Sequence, residues 1–230
     1  ELAAYFELHI EQGPTLYQAN TPIGVVTGIT GRAVFEVEVI GVANHAGTTP
    51  MDARRDALLA ASRLVLAVNR LAAEQEVCRV ATVGAISAQP NAVNVIPGQV
   101  CLGVEFRDLD MANLARAEEE LRRAAAEIAS ASGVQVAVRP LETTRAVLIS
   151  PQMQELVAEA AARCGLAQQR LPSGAGHDAQ AMASITDVAM VFVPSVAGIS
   201  HSPEEFSTPE ACANGAAVLL HLLLLADEKL

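Results

Sequence analysis

Apolar residues recur with a period of two in some stretches of this chain and at helical spacing in others, and that pattern divides it into elements. Residues 3–10 read as a short buried strand. Residues 11–31 read as a turn-rich connection carrying Gly13-Pro14, Thr21-Pro22, Gly24, Gly28 and Gly31. From Ala33 the alternation is clean, with Phe35, Val37 and Val39 on one face and Glu36 and Glu38 on the other, which predicts a half-exposed strand. A loop then leads to a helix predicted from about Asp52 to Glu74, with Leu58, Ala61, Val65, Val68 and Ala72 at helical spacing. Strands are predicted near 78–87 and 99–108. In the second, Val100, Leu102, Val104 and Phe106 share a face opposite Glu105 and Arg107. A helix from about Met111 to Ser132 ends at Gly133, and Val134, Val136 and Val138 begin a last alternating strand.

The order strand-helix-strand-strand-helix-strand is the split β-α-β, or ferredoxin-like, pattern, and it covers residues 32–140. Beyond Ser150-Pro151 the character changes. The pattern predicts a helix (151–164), a strand (167–171), a glycine-rich turn (173–176), a helix (177–184) and a buried strand (188–193). A last helix opens near Ser207-Thr208-Pro209-Glu210, which offers an N-cap hydroxyl and an early proline, and ends near Leu225. The predicted architecture is α/β: a domain made of residues 1–31 and 141–230, interrupted by the ferredoxin-like insert.

Composition sharpens this picture. The 230 residues suffice for one large or two small domains. With 51% hydrophobic and 3% aromatic residues, the core must be aliphatic. A formal net charge of −11 argues against a nucleic-acid partner, because there is no basic excess to neutralise phosphates. The four cysteines are widely spaced, with no Cys-x-x-Cys pair, and read as small core residues of a reducing, cytoplasmic compartment. The apolar run Ala216–Ala226 is too short to span a bilayer and reads as a buried helix, so no membrane is expected.

The five histidines divide by context. His9 closes the first strand beside Glu11 and Gln12, and reads either as a hydrogen-bonded core residue or as a metal ligand. His201 lies past the strand 188–193, where α/β sheets place their sites, or is simply exposed. His45 sits between small residues that leave room for a substrate. His177 follows a glycine turn that could present backbone N–H groups to an anion, or that is only a tight turn. His221, flanked by leucines, reads as structural. Arg107 is a surface residue unless its strand face turns toward a site, where a guanidinium would hold a carboxylate in two bonds. Asn94 precedes the same strand and reads as a turn residue.

Six segments taken in order change these odds: ELHIEQGP (7–14), NHAGTTPMDARRDA (44–57), NAVNVIPG (91–98), EFRD (105–108), SGAGHDA (173–179) and GISHSPEE (198–205). Together they resemble the N-carbamoyl-L-amino acid hydrolases and allantoate amidohydrolases of the dinuclear zinc peptidase and aminoacylase superfamily, along essentially the whole chain. The resemblance implies that His9 and His201 are metal ligands. It gives His45 the task of polarising the scissile carbonyl. It makes Gln12, Asn94, Arg107, Gly176 and His177 substrate-binding positions, with Arg107 on the substrate carboxylate. It also implies two divalent metals (zinc, manganese, cobalt or nickel), a small ureido or carbamoyl carboxylate as substrate, and a homodimer formed through the insert, the dimerisation or lid domain.

The His-x-Asp and Glu-Glu motifs that supply further ligands and the general base in such enzymes do not occur ahead of His9 in these residues. The chain by itself is therefore expected to bind metal weakly and not to turn over substrate. Two further readings stand beside the N-carbamoyl-L-amino acid hydrolase: an allantoate amidohydrolase, and a non-catalytic dimerisation or ligand-binding module.

Overall fold

The opening apolar run forms strand β1 (Ala4–Ile10) in the computed structural model, which describes residues 2–229. A single helical turn, α1 (Thr15–Gln18), leads to β2 (Ile23–Ile29). Strand β2 corrects the turn-rich reading of residues 11–31. Ile23, Val25, Val26 and Ile29 are fully buried. A β-carbon at Gly24 would come within 2.7 Å of a Leu171 methyl and 2.9 Å of Phe192 Cβ. Glycine there admits close packing of neighbouring strands and does not mark a turn.

From Gly31 to Arg145 the chain forms a separate compact unit. Its elements are β3 (Gly31–Ile40), β4 (Asn44–His45), α2 (Ala57–Ala73), β5 (Val80–Gln89), β6 (Val95–Ile96), β7 (Gln99–Asp108), α3 (Met111–Ser132) and β8 (Gln135–Thr144). The four long strands lie in the order β5-β7-β3-β8, each antiparallel to its neighbour, and β4 and β6 make a two-residue ladder. Phe35, Val37 and Val39 of β3 and Val100, Leu102, Val104 and Phe106 of β7 point to one face, where Ala61, Leu64 and Val68 of α2 and Leu114, Ala117 and Leu121 of α3 cover them.

Helix α2 starts later than Asp52. Residues Met51–Ala53 form a 3-10 turn, and the Asp56 carboxylate caps the helix by accepting from the N–H groups of Leu58 and Leu59 over 2.9 and 3.0 Å. Its buried stripe is Ala57, Ala60, Ala61, Leu64, Val68 and Leu71, rotated from the predicted one. The helix is apolar on more than one side, so spacing alone does not select the face. Gly133 takes the left-handed conformation (φ 64°) that ends α3. Strand β8 runs past the predicted boundary at 140, because its pairing with β3 continues as far as Arg32↔Thr144.

The other unit takes in the residues up to Thr30 and from Ala146 onward. It adds β9 (Val147–Leu148), α4 (Pro151–Arg163), β10 (Gln168–Ser173), α5 (Asp178–Met182), β11 (Asp187–Val193) and α6 (Pro209–Lys229). Its mixed sheet has the order β1-β11-β2-β10, with β9 against β2. Strands β1 and β11 are parallel and end together at Ile10↔Val193. Thr208 Oγ1 accepts from Ala211 N–H over 3.1 Å at the start of α6. This helix is longer than the predicted run, and long and apolar enough to cross a membrane by length and composition. It is buried on one side only. Gly215, Val218, Leu222 and Leu225 face the core, and Leu220, Leu223 and Leu224 are exposed.

Candidate functional site

Strand alternation puts Glu7 and His9 on the same face of β1. His9 Nδ1 lies 2.8 Å from the carbonyl oxygen of Ile10. A carbonyl only accepts, so the proton sits on Nδ1 and Nε2 keeps a lone pair. This is the arrangement of a histidine prepared to ligate a metal, with its other nitrogen holding the ring in place. His177 comes from the turn after β10 and meets His9 edge-on, with ring centroids 4.7 Å apart at 70°. Its Nε2 is 2.7 Å from Ser173 Oγ, and its Nδ1 is 3.4 Å from Glu7 Oε1. Among the described residues, His177 Nδ1 is the buried side-chain nitrogen left without a hydrogen bond. Burial, and then the neighbouring His9, push the His177 imidazole down to about 4, so it is neutral at physiological pH. Glu7, His9 and His177 each offer a ligand atom within 4.8 Å of the others, a donor set of two imidazoles and a carboxylate that suits a divalent transition metal.

The loop that carries His201 is tied to the end of β1 by a chain of hydrogen bonds. Gln12 has a left-handed backbone (φ 57°); its N–H donates to Ser195 Oγ and its side-chain amide to Ser200 Oγ, both over 3.0 Å. The Ser200 hydroxyl donates to Glu205 Oε2 over 2.5 Å, and the His201 N–H donates to the same oxygen over 3.1 Å. These two bonds hold the Glu205 carboxyl below the usual carboxylate range. Glu11 has a local duty: its carboxylate accepts from the N–H groups of Thr15 and Leu16, each over 2.8 Å, and caps α1. Gly176 lies exposed in the turn ahead of His177.

His45 and Asn94 are neighbours in the other unit, where β4 pairs with β6 and Ala46 N–H donates to Asn94 O over 3.0 Å. The N–H groups of Gly47 and Thr48 point at His45 Nδ1 from 3.0 and 3.2 Å. Nδ1 is therefore the acceptor and Nε2 carries the proton, on an exposed ring. Arg54 stiffens the loop by donating to Ala46 O over 2.5 Å and to Thr49 O over 3.1 Å. Arg107 lies on the outward face of β7 beside Arg32 of β3. Both guanidiniums bond to the Glu105 carboxylate, Arg107 through Nε over 2.6 Å. Partial burial pushes the Glu105 carboxyl up, but Arg107 and Arg32 outweigh it and hold it below the usual range.

The structure thus brings together His9, His177, Gln12 and the His201 loop in one unit, and His45 with Asn94 in the other. Glu7 and Glu205 were missed in the sequence. Glu7 was detectable as the same-face neighbour of a strand-end histidine; nothing local marks Glu205. A cavity of about 780 Å³ lined by Leu16, Tyr17, Thr208 and Asn214 includes none of these residues.

An α/β fold whose strand ends collect imidazoles and carboxylates in this way has the makings of a divalent metal site. The chain belongs to the peptidase family M20/M25/M40, which it matches over residues 1–225. It is 40% identical over 227 residues to the N-carbamoyl-L-amino-acid amidohydrolase of Paenarthrobacter aurescens, aligning 99% of this chain with 55% of that protein. It is 34% identical to the allantoate amidohydrolase of Bacillus subtilis (strain 168), aligning 97% of this chain with 54% of that protein. An amidase of the hydantoinase/carbamoylase family from Burkholderia multivorans superimposes with a TM-score of 0.92 at 45% identity, over 98% of this chain and 55% of that one. The chain therefore spans about half the length of these relatives.

Proposed function

We propose that this chain carries part of a metal-dependent amidohydrolase that cleaves linear ureido C–N bonds, converting an N-carbamoyl-L-amino acid and water to the L-amino acid, CO2 and NH3. The observation that carries the proposal is the His9 hydrogen bond to Ile10 O, which leaves Nε2 bare on a histidine clustered with Glu7 and His177. His9 and His201 are the ligands in this reading. A bound divalent metal supplies Lewis-acid polarisation of the carbonyl and acidifies water. The chain's own residues do the rest. Exposed Nε2–H of His45 donates to the oxygen on which negative charge develops. The guanidinium of Arg107 takes the substrate carboxylate, and Gln12, Asn94 and Gly176 line the substrate. The unit from Gly31 to Arg145 is the ferredoxin-like lid and pairs two copies into a homodimer.

With His9 and His201 alone as ligands, a two-metal site has fewer than the roughly three protein ligands a single catalytic zinc keeps. The 230 residues alone are inactive in this reading. The test is steady-state kinetics of the full product of the open reading frame on N-carbamoyl-L-amino acids and allantoate, with and without added zinc or manganese, beside the 230-residue chain. Metal-dependent hydrolysis by the full product supports the proposal, and preference for allantoate would move the substrate to the neighbouring class. Enzyme-like turnover by the 230 residues alone would overturn the ligand count. A full product inert on every ureido compound would favour the non-catalytic module.

A further inference from the structure

The resemblance gives His177 a place among substrate contacts, yet its side chain is 1% exposed. The ring is held by a hydrogen bond at Nε2 and by packing, while Nδ1 is buried without a hydrogen bond. Ser173 Oγ stands 2.7 Å from Nε2, and that oxygen is itself fixed by Ala175, which receives from it over 3.0 Å and donates to it over 3.1 Å. Glu7 Oε1 stands 3.4 Å from Nδ1, and the other Glu7 oxygen accepts from Ala179 N–H over 2.7 Å, so strand β1 is tied to the start of α5. The Phe192 ring lies 5.6 Å away, tilted by 55°. The remaining neighbour is the ring of His9, met edge-on at 4.7 Å. A group so enclosed cannot reach a substrate. It can limit how the next ring turns.

We propose that His177, held by its hydrogen bond to Ser173 and by packing against Phe192, is a positioning residue that limits the rotation of the His9 imidazole, keeping Nδ1 on Ile10 O and Nε2 free to ligate a metal. The inference rests on the reading of His9 as a ligand. The edge-on contact with His177 closes one side of the His9 ring, and the bond to Ile10 O holds Nδ1. Such outer supports are worth about 10–100-fold in metal affinity or activity.

The experiment compares His177→Phe, Ser173→Ala and His9→Ala with the parent in the full product of the open reading frame. Zinc affinity is read by competition with a chromophoric chelator, ligand geometry by the visible spectrum of the Co2+ form, and folding by thermal unfolding. His177→Phe keeps a ring against His9 and Phe192 but loses both nitrogens. Ser173→Ala leaves both rings in place and removes the hydrogen bond that holds His177 Nε2, so it carries the test if the phenylalanine variant fails to fold. The proposal expects both variants to lose about 10–100-fold in zinc affinity, to shift the Co2+ spectrum, and to keep KM at saturating metal. Zinc affinity within twofold of the parent in both, with a raised KM, would overturn it in favour of a pocket-lining role. Abolished binding in His177→Phe with no change in Ser173→Ala would overturn it in favour of direct ligation. Parent-like zinc affinity in His9→Ala would remove the ligand reading itself, and the positioning role with it.

Discussion

The backbone N–H of His201 donates to Glu205 Oε2 over 3.1 Å, and His201 holds a left-handed backbone with φ 57°. Residues with side chains resist that conformation, which persists only where the surroundings impose it. Glu205 is what imposes it here, because the same oxygen takes the Ser200 hydroxyl, and Ser200 is anchored in turn by Gln12 at the end of β1. Replacing Glu205 by alanine would free the loop and let the His201 ring wander. We expect Glu205→Ala to weaken zinc binding by the full product about 10–100-fold while leaving its thermal unfolding unchanged. Chelator competition measures the first and calorimetry the second. Unaltered zinc affinity would mean that the loop holds His201 without this carboxylate.

His45 has its tautomer chosen by the backbone. With two N–H groups aimed at Nδ1, the exposed Nε2 is a donor and nothing else in the neutral ring. A donor placed in advance for developing negative charge is worth about 2.7–4 kcal/mol, or 100–1,000-fold in kcat. His45→Ala is expected to lose that much on an N-carbamoyl amino acid, with the metal content of the protein unchanged. Gly47→Pro removes one of the two N–H groups while leaving the ring, and should cost less than the alanine variant. Equal kcat in His45→Ala and parent would exclude the ring from the reaction.

Elements whose alternation or helical spacing is backed by a stop signal were legible in the sequence. The strand at 99–108 and the helix from Met111 to the Gly133 cap stand in the structure where the pattern puts them. Strand β2 was not legible, because Gly24 reads locally as a turn and its real reason, the approach of Leu171 and Phe192, belongs to partners distant in the chain. The candidate site divides in the same way. His9 could be picked out as a strand-end histidine from its neighbours alone. The meeting of Glu7, His177 and Ser173 depends on how β1 packs beside the turn after β10, and no local pattern encodes it.

Gly24 gives a stability prediction. A valine there would drive methyl groups into Leu171 and Phe192, in a strand whose apolar neighbours are fully buried. Overpacking of this kind costs about 1–3 kcal/mol. Urea unfolding of Gly24→Val should show a midpoint lowered accordingly with an unchanged slope. Gly84, around which a β-carbon would meet nothing within 4 Å, serves as the control, and Gly84→Ala should be close to neutral. An unshifted midpoint in Gly24→Val would mean that the sheet relaxes around the added bulk.

Glu105 gives a prediction in pH. Its carboxyl is pushed up by partial burial and pulled down further by Arg107 and Arg32, for a net fall below the ordinary carboxylate value. A group whose folded pKa is depressed binds fewer protons in the folded state than in the unfolded one across that interval. Its stabilisation is complete above the ordinary carboxylate range and disappears as pH falls through the depressed folded value. Glu105→Gln keeps the shape and removes the charge, so the variant should be less stable than the parent at neutral pH. The gap should close on acidification, and 1 M salt should narrow it at neutral pH, because the side chains are 26–38% exposed and open to screening. Urea unfolding of both proteins across the acid range measures the gap. Two stability curves that stay parallel from neutrality into acid would show that the arginines gain nothing from the Glu105 charge, and that Arg107 is held on this face by packing and by its other contacts.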